Sequence, residues 1–214
     1  MRRGAGRVAA AIGDWCDVYR ADGAADPVAP RNRLLRMPAV FAPPGEGMRP
    51  PGYGGATWWG SFDAAYTRVG DYIVRPPGPR GDAGGTWFIA SQEEMLPVLC
   101  VRTTRVVDVT RPGGAAALGA NMYGGVAPAG AAPVLRQWPA SLLAAGGSAG
   151  GIDLPGGISA GSWQMLMPAV AGVVLRNGDL VRDDLGRGGV VAAAELSPLG
   201  WRVLVRQTSE GAHG

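Results

Sequence analysis

The chain contains no lysine; all twenty basic residues are arginine. Glycine-rich strings such as Gly146-Gly147-Ser148-Ala149-Gly150-Gly151 therefore cannot end in the Gly-Lys-Ser/Thr of a phosphate-binding loop, and they read as linkers. Histidine is almost absent as well. The single copy, His213, stands one residue from the end. A Ser-His-Asp, Cys-His or histidine-metal site would have to rely on a terminus, where chains are usually poorly ordered. The two cysteines, Cys16 and Cys100, lie 84 positions apart (100 − 16) without a CxxC pair. That spacing argues against a metal site and a disulfide scaffold, and fits a reduced, intracellular setting during folding. No apolar run approaches the roughly 18–20 residues of a membrane helix. The stretch Val8 to Ile12 behind Met1-Arg2-Arg3-Gly4 is too short for a secretory signal.

What is present is a globular composition with heavy punctuation. Of 214 residues, 47% are hydrophobic, enough for a real core. Glycine (36) and proline (18) make up about a quarter and crowd segments 42–55, 76–85, 112–133 and 144–161. The net charge of +3 arises wholly in residues 1–50, which hold eight arginines against five acids. A GC-rich coding sequence would favour arginine by itself. Arginine also suits interfaces, because its planar fork pairs with carboxylates and stacks on aromatic rings. Arg2, Arg3 and Arg7 are candidate nucleic-acid contacts on this basic arm.

Val8, Ala11, Ile12, Trp15 and Tyr19 recur at helical spacing and predict a helix over 5–20 that must dock on its own body or on a neighbour. Residues 24–58 carry seven prolines and read as an extended arm across a neighbouring subunit. Aromatic and β-branched residues then predict strands near 70–75, 86–91 and 96–110. Residues 112–161 read as a linker or arm with one helical turn at 138–143. Strands return over 162–206, with Asn177-Gly178 as a tight turn. The organisation expected is thus 1–56 helix and arm, 57–111 first β-unit, 112–161 linker, 162–208 second β-unit and 209–214 tail.

The two β-units repeat one plan. Gly60-Ser61-Phe62, Gly70-Asp71-Tyr72-Ile73-Val74, Gly85 to Ser91 and Leu96 to Val101 run parallel to Gly161-Ser162-Trp163, Gly178-Asp179-Leu180-Val181, Gly189 to Ala193 and Pro198 to Val205. The expected fold is mainly β: two small related β-barrels or meanders, a short N-terminal helix and long extended arms.

Groups that could carry chemistry are few. Asp179, Asp183 and Asp184 lack the spacing of a calcium loop and read as a polar hairpin tip. Carboxylates such as Glu93, Glu94 or Asp71 could serve a hydrolase as acid or base, but Glu93-Glu94 beside a predicted strand reads as a solvated turn. The aromatics of 53–66 (Tyr53, Trp58, Trp59, Phe62, Tyr66) suit either a sugar-stacking platform or a core with subunit interface, and the second reading is favoured. Candidate subunit-interface residues are Trp15, Tyr19, Trp58, Trp59, Phe62, Arg33 and Arg36.

Tyr53-Gly54, Thr57-Trp58, Gly60, Phe62-Asp63, Gly70-Asp71-Tyr72, Thr86 to Gln92, Leu96 to Val101, Gly178-Asp179 and Trp201-Arg202 resemble a family of uncharacterised structural proteins of tailed phages and prophages. The strand plan is similar in pattern to head–tail joining proteins, the stoppers and adaptors. This resemblance implies a virion protein assembled in the host cytoplasm. It would be a ring-forming homo-oligomer of the head–tail interface or tail, touching connector or tail proteins and, through its basic arm, DNA in a channel, with no catalytic residues to carry over. No membrane partner, cofactor or metal is expected from the residues themselves. The alternative is a tail-tip module that binds carbohydrate or a receptor.

Overall fold

Gly13 divides a helix from a strand. A computed structural model describes residues 2–43, 45, 54–78, 83–94, 96–113, 118–120, 126–128, 131–144 and 161–208. Helix α1 spans Arg2–Ile12 and ends where the Gly13 amide donates to the Ala9 carbonyl at 2.7 Å. A Cβ on Gly13 would lie 2.5 Å from that oxygen and 3.0 Å from the Ala39 backbone. Strand β1 (Asp14–Tyr19) follows at once, with Cys16 and Val18 fully buried and Trp15 exposed. The helix expected over 5–20 is therefore correct only in its first part. Trp15 and Tyr19 satisfy both a helical and an alternating period, and tertiary pairing selects the second.

Twelve strands close two barrels. In the first, β1 pairs with β2 (Arg33–Ala42), β2 with β3 (Thr57–Ser61), and β3 with β6 (Val98–Arg102). β6 then pairs with β5 (Gly85–Ser91), β5 with β4 (Tyr72–Arg75), and β4 returns to β1. In the second, β7 (Arg105–Arg111) takes the place of β1. β10 (Ala132–Ala144), β11 (Ser162–Met167), β12 (Leu180–Asp183), β13 (Gly188–Ser197) and β14 (Gly200–Gln207) stand for β2 to β6. Every pairing is antiparallel, and the ring order is the same in both barrels. Between β7 and β10 lies a two-stranded ribbon, β8 (Leu118–Ala120) with β9 (Val126–Pro128).

The mainly β fold of two related barrels with a short N-terminal helix is thus the observed one. The expected domain organisation needs three corrections. The arm 24–58 contains β2, and the linker 112–161 contains β10, the longest strand, in place of the helical turn at 138–143. The predicted strand 96–110 is two strands, and the second, β7, belongs to the other barrel, so the first unit does not run to 111. Proline misled in both segments for one reason. Pro38 faces Trp15 and Pro139 faces Val106, each two positions before the next strand begins to pair, at Val40 and Ser141. On that side no ladder partner needs the missing N–H.

Alternation along β4, β5 and β6 serves two cores. Ile73, Trp87, Ile89, Val98 and Cys100 fill the first barrel with Val18, Met37 and Phe62. Their neighbours Tyr72, Phe88, Ala90, Leu99 and Val101 join a second cluster that includes Val107, Leu135, Trp138, Met165, Val191 and Val203 of the second barrel. One apolar core therefore runs from the outer wall of barrel one into barrel two.

Candidate functional site

The Gly-Asp steps lie at the same place in the two barrels and are built the same way. Gly70 (φ +92) and Gly178 (φ +89) occupy a backbone region that a side chain resists, although nothing lies within 4 Å of a Cβ built on Gly178. Backbone freedom, not room, demands glycine there. The following carboxylates, Asp71 and Asp179, are 1% and 2% exposed. Arg20 Nε donates to Asp71 Oδ1 at 2.9 Å and Nη2 to Oδ2 at 2.8 Å. Arg111 does the same to Asp179 at 2.8 and 2.9 Å. Each aspartate also accepts from the amide three residues before it, Arg68 at 2.9 Å and Arg176 at 2.8 Å. Each guanidinium ties a further carbonyl, Tyr66 at 3.3 Å and Val174 at 2.7 Å. Beyond the clasp, Ile89 and Val191 donate to the Asp71 and Asp179 carbonyls at 2.9 and 2.8 Å. Such a bidentate pair offsets the cost of burying a carboxylate, and here it fixes the start of β4 and β12 against β1 and β7.

The clasps align the rest of the repeat. A register shift follows Ile89 in β5 and Val191 in β13, leaving Ala90 and Ala192 as equivalent bulge residues. Trp58, opposite Cys100, corresponds to Trp163, opposite Val205. The expected match of Gly60-Ser61-Phe62 with Gly161-Ser162-Trp163 is therefore displaced, because Met167 is the partner of Phe62. A further repeat went unread. Leu35-Arg36-Met37-Pro38-Ala39 in β2 corresponds to Leu135-Arg136-Gln137-Trp138-Pro139-Ala140 in β10, as their partners Val18, Cys16, Trp15 and Val109, Val107, Val106 show. Gln137 is the inserted residue and takes φ +50. The recurrence of Leu-Arg and Pro-Ala was the available signal.

That insertion makes the junction. The bulge at 136–137 accepts the β1–β2 connection. Asp26 N donates to the Arg136 carbonyl at 2.8 Å, Arg136 N donates to the Ala24 carbonyl at 3.0 Å, and Gln137 N donates to Asp108 Oδ1 at 2.7 Å. The arm does lace two bodies together, but within one chain. At the centre, Tyr72 donates its hydroxyl to the Pro139 carbonyl at 2.7 Å and meets Trp138 edge to face at 6.3 Å. Burial raises the Tyr72 phenol well above its ordinary value. The crossover itself is two residues long. Thr103 N donates to Thr86 of barrel one at 2.8 Å, and Thr104 N to Ala140 of barrel two at 2.9 Å. Beside the bulge opens a cleft of about 860 Å³, with Asp108, Thr110, Arg136, Leu180 and Arg182 among its walls.

Arginine elsewhere is also spent on architecture. Arg102 lies 5.8 Å from the rings of both Trp58 and Trp87, and Arg187 lies 4.9 Å from Trp163. Asp183 accepts from the Leu185 and Arg187 amides at 3.0 and 2.9 Å and from Arg187 Nε at 2.7 Å. Burial works to raise its carboxyl, but the Arg187 and backbone bonds outweigh that and hold it below the usual value. The trio Asp179, Asp183 and Asp184 thus answers to three different arginines, with Asp184 lying 3.9 Å from Arg105. Asp71 is saturated by its clasp, while Glu93 and Glu94 are exposed, so the three do not form one set. Among the described residues no group of three metal-ligating side chains occurs, and no helix is long and apolar enough to cross a membrane. Burial, aided by the Asp14 carboxylate, pushes the Cys16 thiol up to about 11, and burial pushes Cys100 up as well.

The candidate interface residues separate. Phe62 is fully buried in the core of barrel one and is not available to a neighbour, which corrects its assignment. Trp58 packs on that core, while Trp59 and Tyr19 pack on the shared cluster. Segment 57–62 is thus a wall strand and not a stacking platform, and Tyr53 lies outside the described residues. Trp15 is 58% exposed under Arg36 at 6.0 Å, and Tyr66 is 67% exposed. Arg33 and Arg36 flank Asp17 at 2.7 and 3.8 Å. Arg7 is exposed on α1. Arg2 and Arg3 sit on the same helix, their side chains outside the described residues, as is His213.

The chain is a tandem of two antiparallel barrels with identical strand order, joined by a common core. No family model matches it, nor does any curated protein or solved structure.

Proposed function

We propose that the protein is a virion structural component of a tailed phage, a ring-forming subunit of the head–tail interface or tail, and that its work is contact and not catalysis. The observation that carries this reading is the fate of the buried charge. Asp71, Asp179 and Asp183 are each held by an arginine and at least one backbone amide, as a rigid structural wall requires and a reactive carboxylate does not. The motif resemblance of 53–101 and 178–202 supplies the phage context, and the single core spanning both barrels suits a subunit that must transmit load. Arg7 remains the described member of the arm proposed to touch DNA. Mass spectrometry of purified particles should find this chain in multiple stoichiometric copies; particles devoid of it would sink the proposal.

One observation favours the tail-tip reading. Trp15 and Tyr66 border a cleft of about 590 Å³ with Arg7, Arg36 and Asp63, a mixture of rings and polar groups that suits a sugar. On that reading Trp15→Ala with Tyr66→Ala abolishes adsorption to host cells while particles still assemble. Lost assembly would return the residues to a subunit interface.

A further inference from the structure

The contact between the two barrels joins different faces. Barrel one presents the outer side of β4, β5 and β6, with Tyr72, Phe88, Ala90, Leu99 and Val101. Barrel two receives it on β10 and on the chain after β11, where the Pro139 carbonyl binds Tyr72 and Pro168 and Ala169 approach Gly70. A contact between unlike faces of two like units is heterologous, and each unit keeps one unused half of it.

On barrel two the unused half is the outer side of β12, β13 and β14. Its counterparts of Tyr72, Phe88, Ala90 and Leu99 are the apolar Leu180, Val190, Ala192 and Leu204, while Val101 is replaced by the exposed Arg206, opposite Val190. The Tyr72 set is sealed by barrel two, whereas Leu180 is 40% exposed and Val190, Ala192 and Leu204 are half-buried. The cleft of about 860 Å³ opens along this face at Leu180.

On barrel one the other half is the side of β2 and of the chain after β3, and α1 lies there. The helix contacts β2 and β3, and Gly6 rests against Asp63, the counterpart of Pro168. The helix thus covers barrel one where barrel one covers barrel two. It does so with its small residues: Ala9 is fully buried, while Val8 and Ile12 are 50% and 74% exposed. The apolar stripe legible in the sequence faces away from the chain's own barrel. A lone surface helix gains nothing from presenting isoleucine to water.

We propose that a second copy of this chain docks head to tail, the Leu180–Val190–Leu204 face of one molecule closing on the Val8–Ile12 face of α1 in the next. The proposal rests on the ring-subunit reading and supplies its contact, because a repeated heterologous interface closes into a ring when its rotation divides a full turn.

The test uses the full chain and two single-face variants, Leu180→Arg and Ile12→Glu, sized by light scattering over a concentration series. Folding is checked by denaturant midpoints, with Leu180→Gln replacing the charged variant should that one unfold. Wild type should form closed oligomers. Each variant should remain monomeric at concentrations about tenfold or more above the wild-type midpoint. An equimolar mixture of the two should give one-to-one dimers, since one intact half survives on each partner. A monomeric wild type, variants that assemble like wild type, or a mixture that stays monomeric would overturn the docking mode. None of those outcomes bears on whether particles contain the chain, so the virion-component reading stands or falls separately, by mass spectrometry of particles.

Discussion

Asp71 and Asp179 occupy the same position in two barrels, and their carboxylates accept the same three hydrogen bonds, two from a guanidinium at the end of the first strand and one from the amide three residues earlier. Removing one partner leaves the other ion without its mate. Asp71→Asn and Asp179→Asn should each lower stability by about 2–4 kcal/mol, less than a wholly buried pair would lose, because each arginine is 31% exposed and can rehydrate. Denaturant midpoints measure it, and near-equal losses are expected from the shared geometry. Arg20→Lys should recover little, since lysine lacks the two-pronged fork.

The junction hangs on Tyr72. In Tyr72→Phe the Pro139 carbonyl loses its buried donor, for a loss of about 1–3 kcal/mol. The shared core predicts that both barrels unfold in one transition for wild type and variant alike. Tryptophan fluorescence and far-UV circular dichroism should therefore give coincident midpoints.

Gln137 stands at φ +50 with its side chain exposed. A side chain in the left-handed region costs about 1–2 kcal/mol. Gln137→Gly should stabilise the chain by about 0.5–1 kcal/mol after the glycine's larger entropy loss, and Gln137→Val should destabilise it. Thermal midpoints decide the sign.

Asp183 sets an acid limit. Its folded carboxyl lies below the unfolded value of about 3.9, so the unfolded chain binds the proton first as pH falls. The contribution is complete above that unfolded value and is lost as pH drops through the folded one. Asp183→Asn should be less stable than wild type near neutrality, and the difference should shrink below about pH 4. Unfolding midpoints from pH 2 to 6 give the curve.

Much of this was legible from residue order. Gly70-Asp71 and Gly178-Asp179 announce equivalent turns, because only glycine adopts that φ cheaply and an aspartate beside it can bond its own backbone. Trp201, Val203 and Val205 alternate inward as their spacing requires. β2 and β10 were hidden because proline normally excludes a strand interior, and only the neighbouring strands reveal which edge lacks a partner. The clasping arginines were hidden too. Arg20 and Asp71 lie 51 positions apart, Arg111 and Asp179 68, and no local pattern links them.

The sequence by itself determined that the chain folds into two related β-units, since alternation and turn chemistry act over a few neighbouring residues. Tertiary structure decided how each unit closes and which side of each strand meets the other barrel. The alternation of Tyr72 with Ile73 and Phe88 with Ile89 places apolar groups on both faces, and nothing local says which face is the lumen. That choice depends on ring closure by β2 and β10 across distant chain, a matter of pairing and packing and not of propensity.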